Sequence, residues 1–299
     1  MSQALASIAE CIIGGMKYLE VKRNFTDEQS DYYQLSEGLY QTLTKFPSSV
    51  KYSELLNHLL HVGKRCFLPK EHKATYRVPF LPDDRSHGLV SGFGLTHKNK
   101  IPKEKVDSYG QIDGFPSWFF KGFAHSLKLS GESLFLTNTA KLICEEAEIV
   151  LIFKIDDTGN PRYLGFTFGN DLTDIGQIRN NSAHLSYGKM TDSAIHPFLF
   201  LGEPPMYTEG HVHIRRKDKT VWAGKVSNGL STLAYDLETI MSKLWQHQSI
   251  ILPNMMHYVF IGADKNSVDH GCTLSNGDTT NIQFDEFKVK INNTVNLCG

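Results

Sequence analysis

Apolar residues recur along this chain in two different rhythms. In the first 80 residues they fall three or four apart: Leu5, Ile8, Ile12 and Met16 share one face of a helix. Helical patterns run over 4–20, 27–44 and 53–62, with Pro47 and Pro69 between or after them. From Leu89 the texture changes. Glycine and proline become frequent, and short β-forming runs occupy 149–153, 163–168, 198–201 and 257–261. Turn signals bound these runs, notably Asp157-Thr158-Gly159-Asn160-Pro161 and Asn276-Gly277-Asp278. His211-Val212-His213-Ile214 alternates like a half-buried strand, and 230–246 has the spacing of a helix. The expectation is an α+β chain: a mostly helical segment over 1–85, then a β-rich domain over 86–299.

Composition narrows the class without naming a function. At 299 residues, 40% apolar and 21% charged, the chain is an ordinary globular one able to bury a sizeable core. Its formal net charge of −1 gives no global field toward nucleic acid or an anionic membrane, so neither is expected as a partner. Cys11, Cys66, Cys144, Cys272 and Cys298 are scattered and odd in number, with no C-x-x-C pair. That pattern argues against a disulfide framework or structural zinc, and the cytoplasm is the expected compartment.

Glu146-Ala147-Glu148 carries the most chemistry. It opens a strongly β-forming run, and a period of two puts both carboxylates on one face. Two carboxylates side by side on an apolar strand repel unless a cation lies between them, and Mg²⁺ takes such oxygen ligands. On spacing alone, an exposed strand start explains the pair at least as well. A second strand run ends in Gly169-Asn170-Asp171, where Asp171 either points into a cleft or makes an Asx turn. Lys189 follows eighteen residues later. Beside a metal it would serve as general base or as donor to a developing oxyanion.

Taken in order, these segments resemble the fumarylacetoacetate hydrolase family. The resemblance rests on Glu146-Ala147-Glu148, on Gly165 to Asp171, on Lys189, and on Leu201-Gly202-Glu203-Pro204. Leu89-Val90-Ser91-Gly92-Phe93-Gly94-Leu95-Thr96-His97, Pro116 to Gly122, and Glu145 to Ile149 are similar to the branch that includes 2-keto-3-deoxy-sugar-acid dehydratases. Residues 89–295 are covered.

The resemblance implies a mixed β-sandwich or β-roll, a homodimer, and Mg²⁺, with Mn²⁺ or Ca²⁺ as substitutes, held by Glu146, Glu148 and Asp171. It implies a small 2-keto acid as substrate, with Lys189 and His97 in catalytic roles. Thr96, Lys121, Asn170, Gly262 and Ala263 would be substrate contacts. The expected reaction is dehydration through an enolate. The alternatives are hydrolysis of an acylpyruvate-type carbon–carbon bond, or binding without turnover.

Three departures stand out. Ala263 occupies the place of a carboxylate-binding threonine. Leu172-Thr173-Asp174 follows Asp171 where hydrolysing members carry an arginine. The helical reading of the first 80 residues leaves no counterpart of the family's opening β-hairpin.

Overall fold

A computed structural model describes residues 6–47, 50–69, 72–106, 112 and 114–299; residues 4 and 5 of the expected first helix lie outside that set. The chain opens with a β-hairpin, not a helix. Ala6–Ile13 pairs antiparallel with Met16–Lys22, bringing Ile13 opposite Met16. Gly14 and Gly15 turn the corner at φ of 57° and 81°, the positive angles that a two-residue hairpin loop of type I′ needs. Ala6, Ile8, Ala9 and Cys11 are all buried, so this strand is covered on both faces. A strand buried on both sides loses its alternation, and its apolar residues fall by chance at helical intervals. The family's opening hairpin is therefore present after all.

The second expected helix is also corrected. Asp31–Leu35 is a strand beside Met16–Lys22, and only Leu39–Thr44 is helical. The adjacent aromatics Tyr32 and Tyr33 favour the pleated surface. The third expectation holds as a helix at Tyr52–Val62, which buries Leu55 and Leu59. Of the helix expected over 230–246, only Leu237–Trp245 forms, because the Asp236 side chain caps it by accepting from Thr239 N at 2.7 Å.

Two sheets dominate. The larger runs Lys64–Cys66, Asp31–Leu35, Met16–Lys22, Ala6–Ile13, Leu199–Leu201, Pro161–Asp171, Ala147–Ile155, Met256–Phe260, Gly88–Gly94 and Ser117–Phe123. The N-terminal hairpin thus joins the sheet that carries the acidic residues, through Ala6–Ile8 on Leu199–Leu201. The second sheet runs Lys219–Asn228, Thr208–Arg216, Thr279–Phe284, Val289–Cys298 and Ser133–Thr137.

Every residue of Ala147–Ile155 is buried. Ile149, Leu151 and Phe153 pack toward Ile214, Ile282 and Phe284 of the second sheet. Val150 and Ile152 pack on the other face with Leu39, Leu43, Leu55 and Leu59 of the helices. The layers are therefore helices, large sheet and second sheet, with a phenylalanine cluster between the sheets; Phe168 and Phe284 stack there at 4.3 Å. Among the described residues no helix is long and apolar enough to cross a membrane.

Candidate metal centre

The register of two central strands assembles the acidic site. Glu148 sits opposite Gly169, and Ala147 opposite Asn170. One step further, Asp171 N donates to Glu146 O at 2.8 Å, which makes Glu146 and Asp171 cross-strand neighbours. One carboxylate oxygen from each of Glu146, Glu148 and Asp171 lies within 4.8 Å of the others. Glu148 and Asp171 are fully buried, while Glu146 is half-buried. Glu145, of opposite parity, faces away and accepts from Ser267 N and Oγ at 3.0 and 2.6 Å. Burial pushes its carboxyl up to about 7.

Two lysines meet this triad from different sides. Lys189, ending the short helix Leu185–Lys189, donates to Glu146 Oε2 at 2.5 Å, Asp171 Oδ2 at 2.6 Å and Thr173 Oγ1 at 2.9 Å. Its ammonium also lies 4.4 Å from the Phe119 ring centroid. Lys121 meets the other oxygen of Asp171. Its side chain is 0% exposed and its Nζ lies 2.5 Å from Asp171 Oδ1, an ion pair without hydrogen-bond alignment. Lys121 donates instead to Leu172 O and Thr191 Oγ1.

Burial alone would raise Asp171, but Lys121 and then Lys189 more than reverse it and hold the carboxyl below its ordinary value. Burial alone would lower Lys189, and Asp171, Glu146 and Glu148 reverse that, holding the ammonium above its ordinary range. Glu148 has less help, because Lys189 and the Gly262 N–H only partly offset what raises it. Burial drives it well above the usual carboxylate range, and Asp171 and Glu146 add to the rise. Its hydrogen bond comes from Gly262 N–H at 2.7 Å; among the described residues no lysine or arginine pairs with it.

Three carboxyl groups thus face two ammonium groups in a desolvated pocket, and Glu148 is the one without an ion-pair partner among the described residues. A hard divalent cation fits that oxygen donor set and that deficit.

Glu146 and Glu148 line a cavity of about 230 Å³, together with Thr173, Lys189, Gly262 and Ala263, and Asp171 lies buried next to them. Of the residues expected at the substrate, Gly262 and Ala263 do line it. Thr96, His97, Lys121 and Asn170 do not. Thr96 Oγ1 donates to Ile261 O at 2.5 Å behind the wall, and Asn170 Oδ1 accepts from Glu146 N at 3.2 Å, fixing the first ligand. His97 is buried beside Asp264 and Ser227, and its Nδ1 accepts from Asn99 N. Its other nitrogen therefore carries the proton and faces Ser227 Oγ at 3.4 Å. That tautomer leaves no basic nitrogen for a nucleophile.

Thr173 was missed from sequence: its hydroxyl lies 3.2 Å from Glu146 Oε2 and accepts from Lys189. Only its place two residues after Asp171 hinted at the role.

The paired sheets, with the acidic triad at the ends of the central strands, have a fumarylacetoacetate-hydrolase-like fold. The chain is similar in structure to the apo form of a 2-keto-3-deoxy-D-arabinonate dehydratase, with a TM-score of 0.72 and 17% identity over 98% of this chain and 99% of that one. The same enzyme complexed with magnesium and 2,5-dioxopentanoate superposes at a TM-score of 0.63, at 17% identity over the same shares of the two chains. A 2-hydroxyhepta-2,4-diene-1,7-dioate isomerase from Mycobacterium marinum matches at 0.62 and 13% identity over 98% of this chain and 99% of that one. No family model and no curated protein sequence matches the chain.

Proposed function

We propose that this chain is a divalent-metal-dependent enzyme acting on a small 2-keto acid through an enolate. The observation that carries the reading is the cluster of Glu146, Glu148 and Asp171, which outnumbers its two lysines and presents Glu146 and Glu148 to the cavity. These three residues would hold Mg²⁺. A cation bound there supplies Lewis acidity that makes C3–H of a 2-keto acid acidic. Lys189 stands at the same end, with its three ammonium donors matched to Glu146, Asp171 and Thr173. Held protonated by Asp171 and Glu146, it is no base, and its positive charge would stabilise negative charge developing on an enolate.

The neighbour bound to magnesium and 2,5-dioxopentanoate, itself a 2-keto acid, supports the same class of ligand here. Dehydration, in which the C3 proton and the C4 hydroxyl leave as water, is the favoured reaction, since no arginine follows Asp171. The apolar cavity wall favours a second reading, hydrolysis of a bond to an acyl tail.

Glu148→Gln tests the site. The amide still accepts from Gly262 N–H but removes the charge, so Mg²⁺ or Mn²⁺ affinity by calorimetry should fall roughly 100-fold or more, beyond the usual cost of an outer-shell change. Full retention of metal affinity would sink the assignment. Product analysis then separates the reactions: a keto acid lighter by one water, or pyruvate plus an acid.

A further inference from the structure

Beyond its acidic end the cavity is walled by Phe93, Leu95, Ile175, Ile178, Leu185 and Ala263. Ile175, Ile178 and Leu185 are only half-buried, and Leu95 is 42% exposed, so these side chains face open space rather than a filled core. Leu95 holds this position at φ of +56°, a left-handed conformation that a branched side chain adopts only when its surroundings compel it. The short helix Ile175–Asn180 reaches the wall because Gly188 lies under it: a Cβ there would meet Ile178 Cγ1 at 2.7 Å.

Polar side chains are sparse on this side. Among the described residues they are Ser117, Ser182 and Lys100, and the Lys100 ammonium is already paired with Asp269, which also holds Arg179 at 2.7 Å. The whole cavity, acidic end included, holds about 230 Å³, against about 150 Å³ for an apolar cavity that accommodates benzene in an engineered protein.

We infer that the substrate carries an apolar tail: a 2-keto acid whose carbons beyond C3 bear a branched alkyl or aryl group rather than a run of hydroxyls. The inference rests on the metal and 2-keto acid reading above and narrows it. The triad end takes the charged head, and the isoleucine and leucine wall takes the tail. A polyhydroxylated tail would surrender its hydration to a wall with few partners, whereas an apolar one gains from leaving water.

Calorimetry in MgCl₂ with three ligands tests this. Oxalate presents the head alone, 4-methyl-2-oxopentanoate adds an apolar tail, and 2-keto-3-deoxygluconate adds a polyol. The branched acid is expected to bind at least tenfold tighter than the polyol, a difference of about 1.4 kcal/mol. Ile178→Asn and Leu185→Gln should erase that preference while oxalate binding persists. Leu95→Gly, which relieves the backbone and should fold without difficulty, provides a second variant expected to weaken only the branched acid. If oxalate binds but the polyol binds as tightly as the branched acid, the tail assignment is overturned and the metal reading survives. If oxalate fails to bind, both are overturned.

Discussion

Replacing Lys121 by methionine separates a brace from a substrate contact. The side chain is wholly buried against Asp171 Oδ1, and methionine fills nearly the same unbranched volume. Removing one partner of a buried ion pair typically costs about 3–5 kcal/mol, because the remaining charge stays desolvated. Lys189 still holds the other oxygen of Asp171, so the low end, about 3 kcal/mol, is expected. A chain of 299 residues unfolds with an entropy of about 0.6 kcal/mol/K, and the loss should lower Tm by roughly 5 °C.

Metal binding should move the other way. With one ammonium gone, three carboxylates face a single lysine, and a divalent cation is repelled less. At a concentration one hundred times its Kd a cation adds about 2.7 kcal/mol to the fold. Scanning calorimetry with and without MgCl₂ should therefore show Tm rising in the variant at least as much as in the parent. A drop below about 2 °C without metal would refute the buried pair as a stabilising element. A cation that stabilises the parent but not the variant would refute the charge argument.

Two further outcomes follow from single residues. His257 is fully buried, and burial pushes its imidazole down to about 4 while Nε2 stays on Ile250 O. In the unfolded chain it titrates near 6.5, so between pH 6.5 and 4 the unfolded state takes up a proton that the fold refuses, and stability falls as pH falls. From pH 7 to 5 this one group should remove roughly 2 kcal/mol; His257→Gln should lose that share of the acid limb in urea unfolding, and an unchanged limb would contradict it. Gly262 has φ of +105°, and a Cβ there would sit 1.8 Å from Thr96 Oγ1. Gly262→Ala and Thr96→Ala should therefore couple by about 1 kcal/mol or more in a double-mutant cycle, and strict additivity would show that no clash exists.

The central strands were legible because their apolar runs are long and their ends carry unusual chemistry. Ile149 to Phe153 and Tyr163 to Phe168 lie within observed strands, and the parity of Glu146 and Glu148 placed both at the triad. The N-terminus was not legible by periodicity, since a doubly buried strand offers no alternation to read. Its signal was the pair Gly14-Gly15, a turn chemistry that outranks helical spacing when φ must be positive twice. Thr96, His97 and Lys121 came from the resemblance alone, which locates a segment but not the direction in which each side chain points. Lys121 reaches Asp171 from the edge strand Ser117–Phe123, whose Ser117 lines the cavity and whose Phe119 lies against Lys189.

The residues around Ala263 tie the departure in sequence to the shape of the cavity. Read from sequence, alanine in place of threonine was a missing donor to a carboxylate, a loss of about 1.5–3 kcal/mol if nothing compensates. In the structure Ala263 is one methyl in a wall that continues through Phe93 and Leu95 to Ile178 and Leu185. A hydroxyl there would stand among apolar neighbours and carry its own desolvation cost. The polar duties fall on the other end, where Gly262 N–H fixes Glu148 and Lys189 bridges Glu146 and Asp171. On the proposed reading the missing donor and the apolar wall belong together: the metal end would recognise charge, and the wall would select the tail.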